Sequence, residues 1–83
     1  MEYINLVVNS MKDTKTKEFV QDKSVGKEYV VIEEDIVVNN PLVVMDANTY
    51  SSLRFGILQD WKKDDDKVKF ITDRAIYDTT IKK

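Results

Sequence analysis

The apolar positions of this chain fall into short runs with two different periods. In Tyr3-Ile4-Asn5-Leu6-Val7-Val8, the residues Ile4, Leu6 and Val8 share one face, and the β-branched and aromatic content suits a strand. Tyr29-Val30-Val31-Ile32 is nearly continuous in apolar character, as expected of a central strand. Glu33-Glu34-Asp35 interrupts it, and Ile36-Val37-Val38 reads as a continuation into a further strand. Asn39-Asn40-Pro41 supplies turn chemistry before the third run, Leu42 to Met45. The period then changes. Tyr50, Leu53, Ile57, Leu58 and Trp61 lie at helical spacing, with Asp46 placed to accept the first free amides. This pattern predicts a helix over 47–62, with Gly56 in its middle at a cost of about 1 kcal/mol relative to Ala. Asn9-Ser10 can cap a weaker surface helix or ordered loop from Met11 to Gln21, and Ser24-Val25-Gly26-Lys27 reads as a turn.

These elements predict an α+β domain. A small mixed or antiparallel sheet of three to four strands contains residues 3–8, 29–32 and 42–45 and packs on one main helix. A shorter N-terminal helix and an apolar C-terminal segment complete it. Leu53 falls on the helix face expected to be buried, so Leu53→Asp is expected to unfold the chain. Residues 1–63 read as the core domain. Residues 64–83 read as an acidic break followed by a partner-binding C-terminal segment.

Composition narrows the chemistry. Eighty-three residues supply one small core, so dimerisation would cover apolar faces that a single chain leaves open. There is no cysteine and hence no disulfide framework, which fits a cytoplasmic protein. The lack of histidine removes the usual general base near neutral pH, the commonest zinc ligand and every Ser-His or Cys-His arrangement. With no paired-carboxylate site or phosphate-cradling loop either, the expectation is a non-enzymatic protein without cofactor or metal. No apolar run approaches the roughly 20 residues needed to span a membrane, and the N-terminus lacks a secretory pattern.

The net charge of -2 hides a segregation. Lys12, Lys15, Lys17, Lys23 and Lys27 face only Asp13, Glu18 and Asp22 over residues 12–27, whereas residues 28–46 carry acids and no base. Lys12, Lys15 and Lys17 are candidate DNA contacts, since Lys12 and Lys15 would share a helix face; an ordinary solvated face is the competing reading. Glu28, Glu33, Glu34 and Asp35 form an alternative acidic surface that could imitate nucleic-acid charge for a host nuclease or defence protein. Asp64-Asp65-Asp66 lacks the alternating ligands and sharp-turn Gly of a calcium loop, so a solvated terminus is expected there. The apolar residues after this break, with their flanking acids, are the candidate partner-binding set: Phe70, Ile71, Asp73, Ile76, Tyr77, Asp78 and Ile81. Their competing role is as part of the core, because a small domain needs every apolar residue it has.

Val43-Val44-Met45, the polar cap after it, and Tyr50 five residues beyond the Met resemble the Phd/YefM family of bacterial antitoxins. The resemblance implies a strand–helix–hairpin half that dimerises and binds operator DNA, then a helix and a tail that wrap and neutralise a toxin. On it, residues 6–21 would be the family's first strand and helix, and Val30 to Ile32 its second strand. The departures fall where DNA contact is expected: no Arg precedes Arg54, and the hairpin stretch is the acidic Glu33 to Asn40. The implied form is therefore a homodimeric partner-binding protein with weak or absent DNA affinity.

Overall fold

The computed structural model describes residues 3–38 and 41–82, with the backbone alone for residues 35, 37 and 38. Six strands and one short helix occur in the order β1 (Tyr3–Asp13), β2 (Glu28–Ile32), α1 (Glu33–Val38), β3 (Pro41–Asp46), β4 (Ser52–Asp64), β5 (Lys67–Thr72) and β6 (Ala75–Ile81). Each strand pairs antiparallel with the next, and β6 returns to β1 through Leu6↔Ile81, closing a barrel. Among the described residues, closure leaves no strand with a whole edge unpaired.

Strand residues alternate between the two faces of the wall, so every strand contributes to a single interior. Leu6 and Val8, Tyr29 and Val31, Leu42 and Val44, Val68 and Phe70, and Ala75 and Tyr77 fill it pair by pair. Phe55 of β4 stacks on Tyr77 with ring centroids 4.3 Å apart and meets Tyr29 edge-on at 5.2 Å. The edge-on contact suits the quadrupoles of the rings. Ile36 of α1 joins the same core, so this six-residue helix plugs the barrel rather than forming a layer. Glu33 and Glu34 open its first turn, where acidic side chains favour a helix start. The expected strand at 36–38 is therefore helical. Of the expected turn, Asn39 and Asn40 lie outside the described residues.

The α+β expectation is overturned: the fold is an all-β barrel, and residues 47–62 are not a helix. Asp46 does accept the amides of Asn48 and Thr49, at 2.8 and 3.1 Å, as a helix cap would. The chain then turns back instead of winding on. Tyr50 adopts a left-handed φ of 57°, and the Asp46 amide donates to the Ser51 carbonyl at 2.9 Å. β4 follows, and its register shifts twice: between the partners of Leu42 and Val43, and between Leu58 and Asp60. Each shift inserts one residue. The apolar side chains of β4 that enter the core or pack against it are therefore Phe55, Leu58 and Trp61, in steps of three. Two bulges thus give a strand the apolar spacing of a helix.

Three further expectations change. Residues 11–13 complete β1 instead of starting a helix, and residues 14–27 form the connection to β2. Residues 67–72 and 75–81 are β5 and β6, so the expected division at 63/64 falls at the β4–β5 hairpin of one barrel. Leu53 is 38% exposed at the start of β4 and does not lie on a buried helix face.

Candidate functional site

β3 alternates strictly between buried Leu42, Val44 and Asp46 and exposed Pro41, Val43 and Met45. In a strand with one wet face the outer positions are normally polar. Here all three are apolar, and Val30 and Ile32 continue the same outer face on β2. Tyr3, paired with Ile32 across β1 and β2, adds a ring that is 63% exposed.

The wall is also parted at this place. The β2–β3 ladder contains only Tyr29↔Asp46 and Val30↔Met45, anchored by the Ala47 amide donating to the Glu28 carbonyl at 3.1 Å. Beyond it, Val31 and Ile32 pair with Ile4 and Tyr3 of β1 but with nothing on β3. Residues 41–44 likewise pair with β4 alone. A cleft of about 170 Å³ occupies this seam, lined by Tyr3, Val30, Ile32, Val43, Val44, Met45 and Ser52. Val44 is an inward residue, 1% exposed, so the cleft runs between the strands and is more than a hollow on the outer wall. α1 sits at the open end of the seam because the chain must leave β2 there and return to β3.

Ionisation around the seam is structural. The Asp46 carboxyl is held below the ordinary aspartate range by the backbone amides of Thr49 and Asn48, which hydrogen-bond its charged form. Burial pushes the Tyr29 hydroxyl up. Asp13 is held down mainly by the Thr16 amide, and Asp22 mainly by the Ser24 hydroxyl. Among the described residues, no group of three or more acidic side chains is gathered closely enough to hold a metal ion.

The residues singled out from sequence are dispersed over the barrel. Phe70 and Tyr77 are in the core, and Ile71, Ile76 and Ile81 are half-buried on the barrel wall. Asp73 accepts the Ile57 amide at 2.7 Å, and Asp78 meets the Ser10 hydroxyl at 3.2 Å and Lys69 at 3.8 Å. These seven are therefore not a free extended segment. Lys12 lies on β1 over the Phe19 ring, 4.7 Å from its centroid. Lys15 and Lys17 are in the β1–β2 connection, where Lys17 donates to the Thr14 carbonyl at 2.6 Å, so the expected shared helix face does not form. Glu28 forms an ion pair with Lys82, and Glu33 and Glu34 belong to α1 past the other end of β2. The side chain of Asp35 lies outside the described residues. The outer apolar set was present in the sequence as the unbroken runs Tyr29 to Ile32 and Leu42 to Met45. An unbroken run read as a central strand becomes, in a barrel, a strand with an apolar outside.

Comparison with protein-family models, curated proteins and solved structures found no match. The resemblance to Phd/YefM antitoxins rested on a strand, a cap and a helix. The strand and the cap are present, and the helix is not. The helical architecture that the resemblance implied is thereby corrected to a small all-β barrel. Among the described residues, no helix is long and apolar enough to cross a membrane.

Proposed function

We propose that the protein is a non-enzymatic binding module that takes an extended segment of a protein partner at the parted β2–β3 seam. The observation that carries this reading is the coincidence of two features in one place. Strand positions without a ladder partner lie beside a cleft lined by exposed apolar side chains. Strand addition needs both: main-chain groups supply affinity, and pockets for alternate side chains supply selectivity. The four residues of β3 beyond its last β2 partner span about 13 Å, enough for a short extended peptide. Tyr3 and Met45 are the natural anchors, since large apolar side chains dominate interface energies. The non-enzymatic reading is supported by the lack of histidine and cysteine and by carboxylates engaged with local amides. The cysteine-free chain fits a cytoplasmic setting. A second copy of the chain is the first partner to examine, because each copy presents the same apolar wall.

The test is the double variant Val43→Lys, Met45→Lys, which changes only outward positions and should keep the wild-type circular dichroism spectrum. Light scattering reports self-association, and affinity capture from the native host followed by mass spectrometry reports other partners. The variant should lose whatever the wild type binds. Equal recovery of the same partners by both proteins would refute the seam as the docking site.

A further inference from the structure

The opposite side of the barrel carries a second concavity, and its charge pattern is unlike the apolar seam. A groove of about 540 Å³ runs over β4, β5 and β6, lined by Lys62, Lys67 and Lys69 together with Asn9, Asp64 and Asp78. Val68, Ile71 and Thr79 complete its lining. Lys62 and Lys69 are directly opposite each other in the β4–β5 register, and both side chains are outward, because the next pair, Trp61↔Phe70, faces the core. Side chains so paired stand about 5 Å apart at Cβ, and like charges in that relation destabilise a sheet. Lys67 is two residues from Lys69 on the same strand and therefore on the same face.

The acids of the groove offset this only in part. Asp78 lies 3.8 Å from Lys69 and also accepts the Ser10 hydroxyl. Asp64 is opposite Lys67 at the hairpin end, but no acidic oxygen among the described residues comes within 4.0 Å of the Lys62 or Lys67 ammonium. The chain thus keeps a like-charge pair where a neutral residue would be more favourable. A multivalent anion bridging the ammonium groups removes that cost.

We propose that this groove binds a small phosphorylated ligand, with Lys62, Lys67 and Lys69 as the ammonium donors to its phosphate oxygens. Several close lysines suit a compact oxyanion bearing more than one charge. A long phosphodiester strand fits less well. It would run from the three lysines onto Asp60 on one side or Asp64, Asp65 and Asp66 on the other, in a chain of net charge -2. The groove also has the volume of ordinary small-molecule sites. This assignment is independent of the seam, with which the groove shares no lining residue.

The experiment is a titration of the full chain with sodium pyrophosphate, followed by amide chemical shifts at constant ionic strength. Saturable shifts confined to residues 9, 62–71 and 78–80 are expected. Lys62→Gln should weaken binding about ten-fold or more, the usual consequence of losing one charge-assisted contact. The same variant should raise the melting midpoint of the ligand-free protein at low salt, because it removes the repulsion with Lys69. Lys67→Gln should weaken binding as well, and Lys15→Gln, in the β1–β2 connection, should leave it unchanged. Three results would overturn the proposal: shifts no larger than sodium chloride produces, an unchanged affinity in Lys62→Gln and Lys67→Gln, or tighter binding of a ten-residue oligothymidylate than of pyrophosphate.

Discussion

The Thr72 hydroxyl is fully buried, donates to the Ala75 carbonyl at 2.8 Å and accepts the Ala75 and Arg74 amides at 3.0 and 3.3 Å. It ties the two-residue connection between β5 and β6 in a place water cannot reach. Thr72→Val keeps the shape and strands those amides, so a loss of about 1–3 kcal/mol is expected from urea unfolding. Gly56 lies against the same turn. Its φ of 136° is one that side chains rarely adopt, and an added Cβ would come within 2.7 Å of Asp73 Oδ1 and 2.9 Å of Thr72 Oγ1. Gly26 has a φ of 87° with open space around it, so there the strain acts alone. Gly56→Ala should therefore lower the melting temperature more than Gly26→Ala. A reversed order would show that the β5–β6 turn yields easily.

At the scale of elements, β4 decides how the sequence is to be read. Its neighbours fix which residues face inward, and the two bulges make that set look helical. Leu53→Asp, damaging on a buried helix face, should instead give a folded protein, since Leu53 is 38% exposed at the strand's start. Phe55→Ala should cost about 3–5 kcal/mol, because it empties the centre of the Tyr29–Phe55–Tyr77 stack. Denaturant midpoints of the two variants, measured side by side, check the register. β5 and β6 carry the matching argument for the C-terminal segment. Truncation after Lys67 removes both strands but for one residue, together with Phe70 and Tyr77. The truncated chain should lose its β-sheet circular dichroism signal and its cooperative melt.

At the scale of the molecule, pH stability follows from the groups the fold perturbs. Asp13, Asp22 and Asp46 have folded values below the ordinary 3.8, so the stability they contribute is complete above that value. It is lost as the pH falls through their depressed folded values. Tyr29 and Tyr77 are raised above 10.0, chiefly by burial, so the contribution of their neutral forms is complete below pH 10. It is lost as the pH rises through their folded values. Melting temperatures should therefore fall below about pH 4 and again above about pH 10. Neither set gives a slope between those limits, and no histidine is present to add one. A steep change in stability near pH 6 or 7 would contradict this assignment.

Local sequence was enough for the strand-forming segments at 3–8, 29–32 and 42–45, because β-branched residues and period-2 alternation are local properties. It also marked Asp46 as a cap, since an Asp collects free amides two and three residues on whether a helix or a turn follows. It showed that Phe70 and Tyr77 need burial, but not in what. The folded arrangement makes residues 52–64 a strand, because a bulge exists only relative to a partner strand. It alone decided the barrel as well, through the pairing of β1 with β6 that joins the two ends of the chain. Closure in turn settled which apolar residues are surplus. A narrow barrel admits one side chain in two from each strand, so Val43 and Met45 remain outside although their composition suits a core. The candidate seam and the lysine groove both arise from such pairings, which no local window of sequence contains.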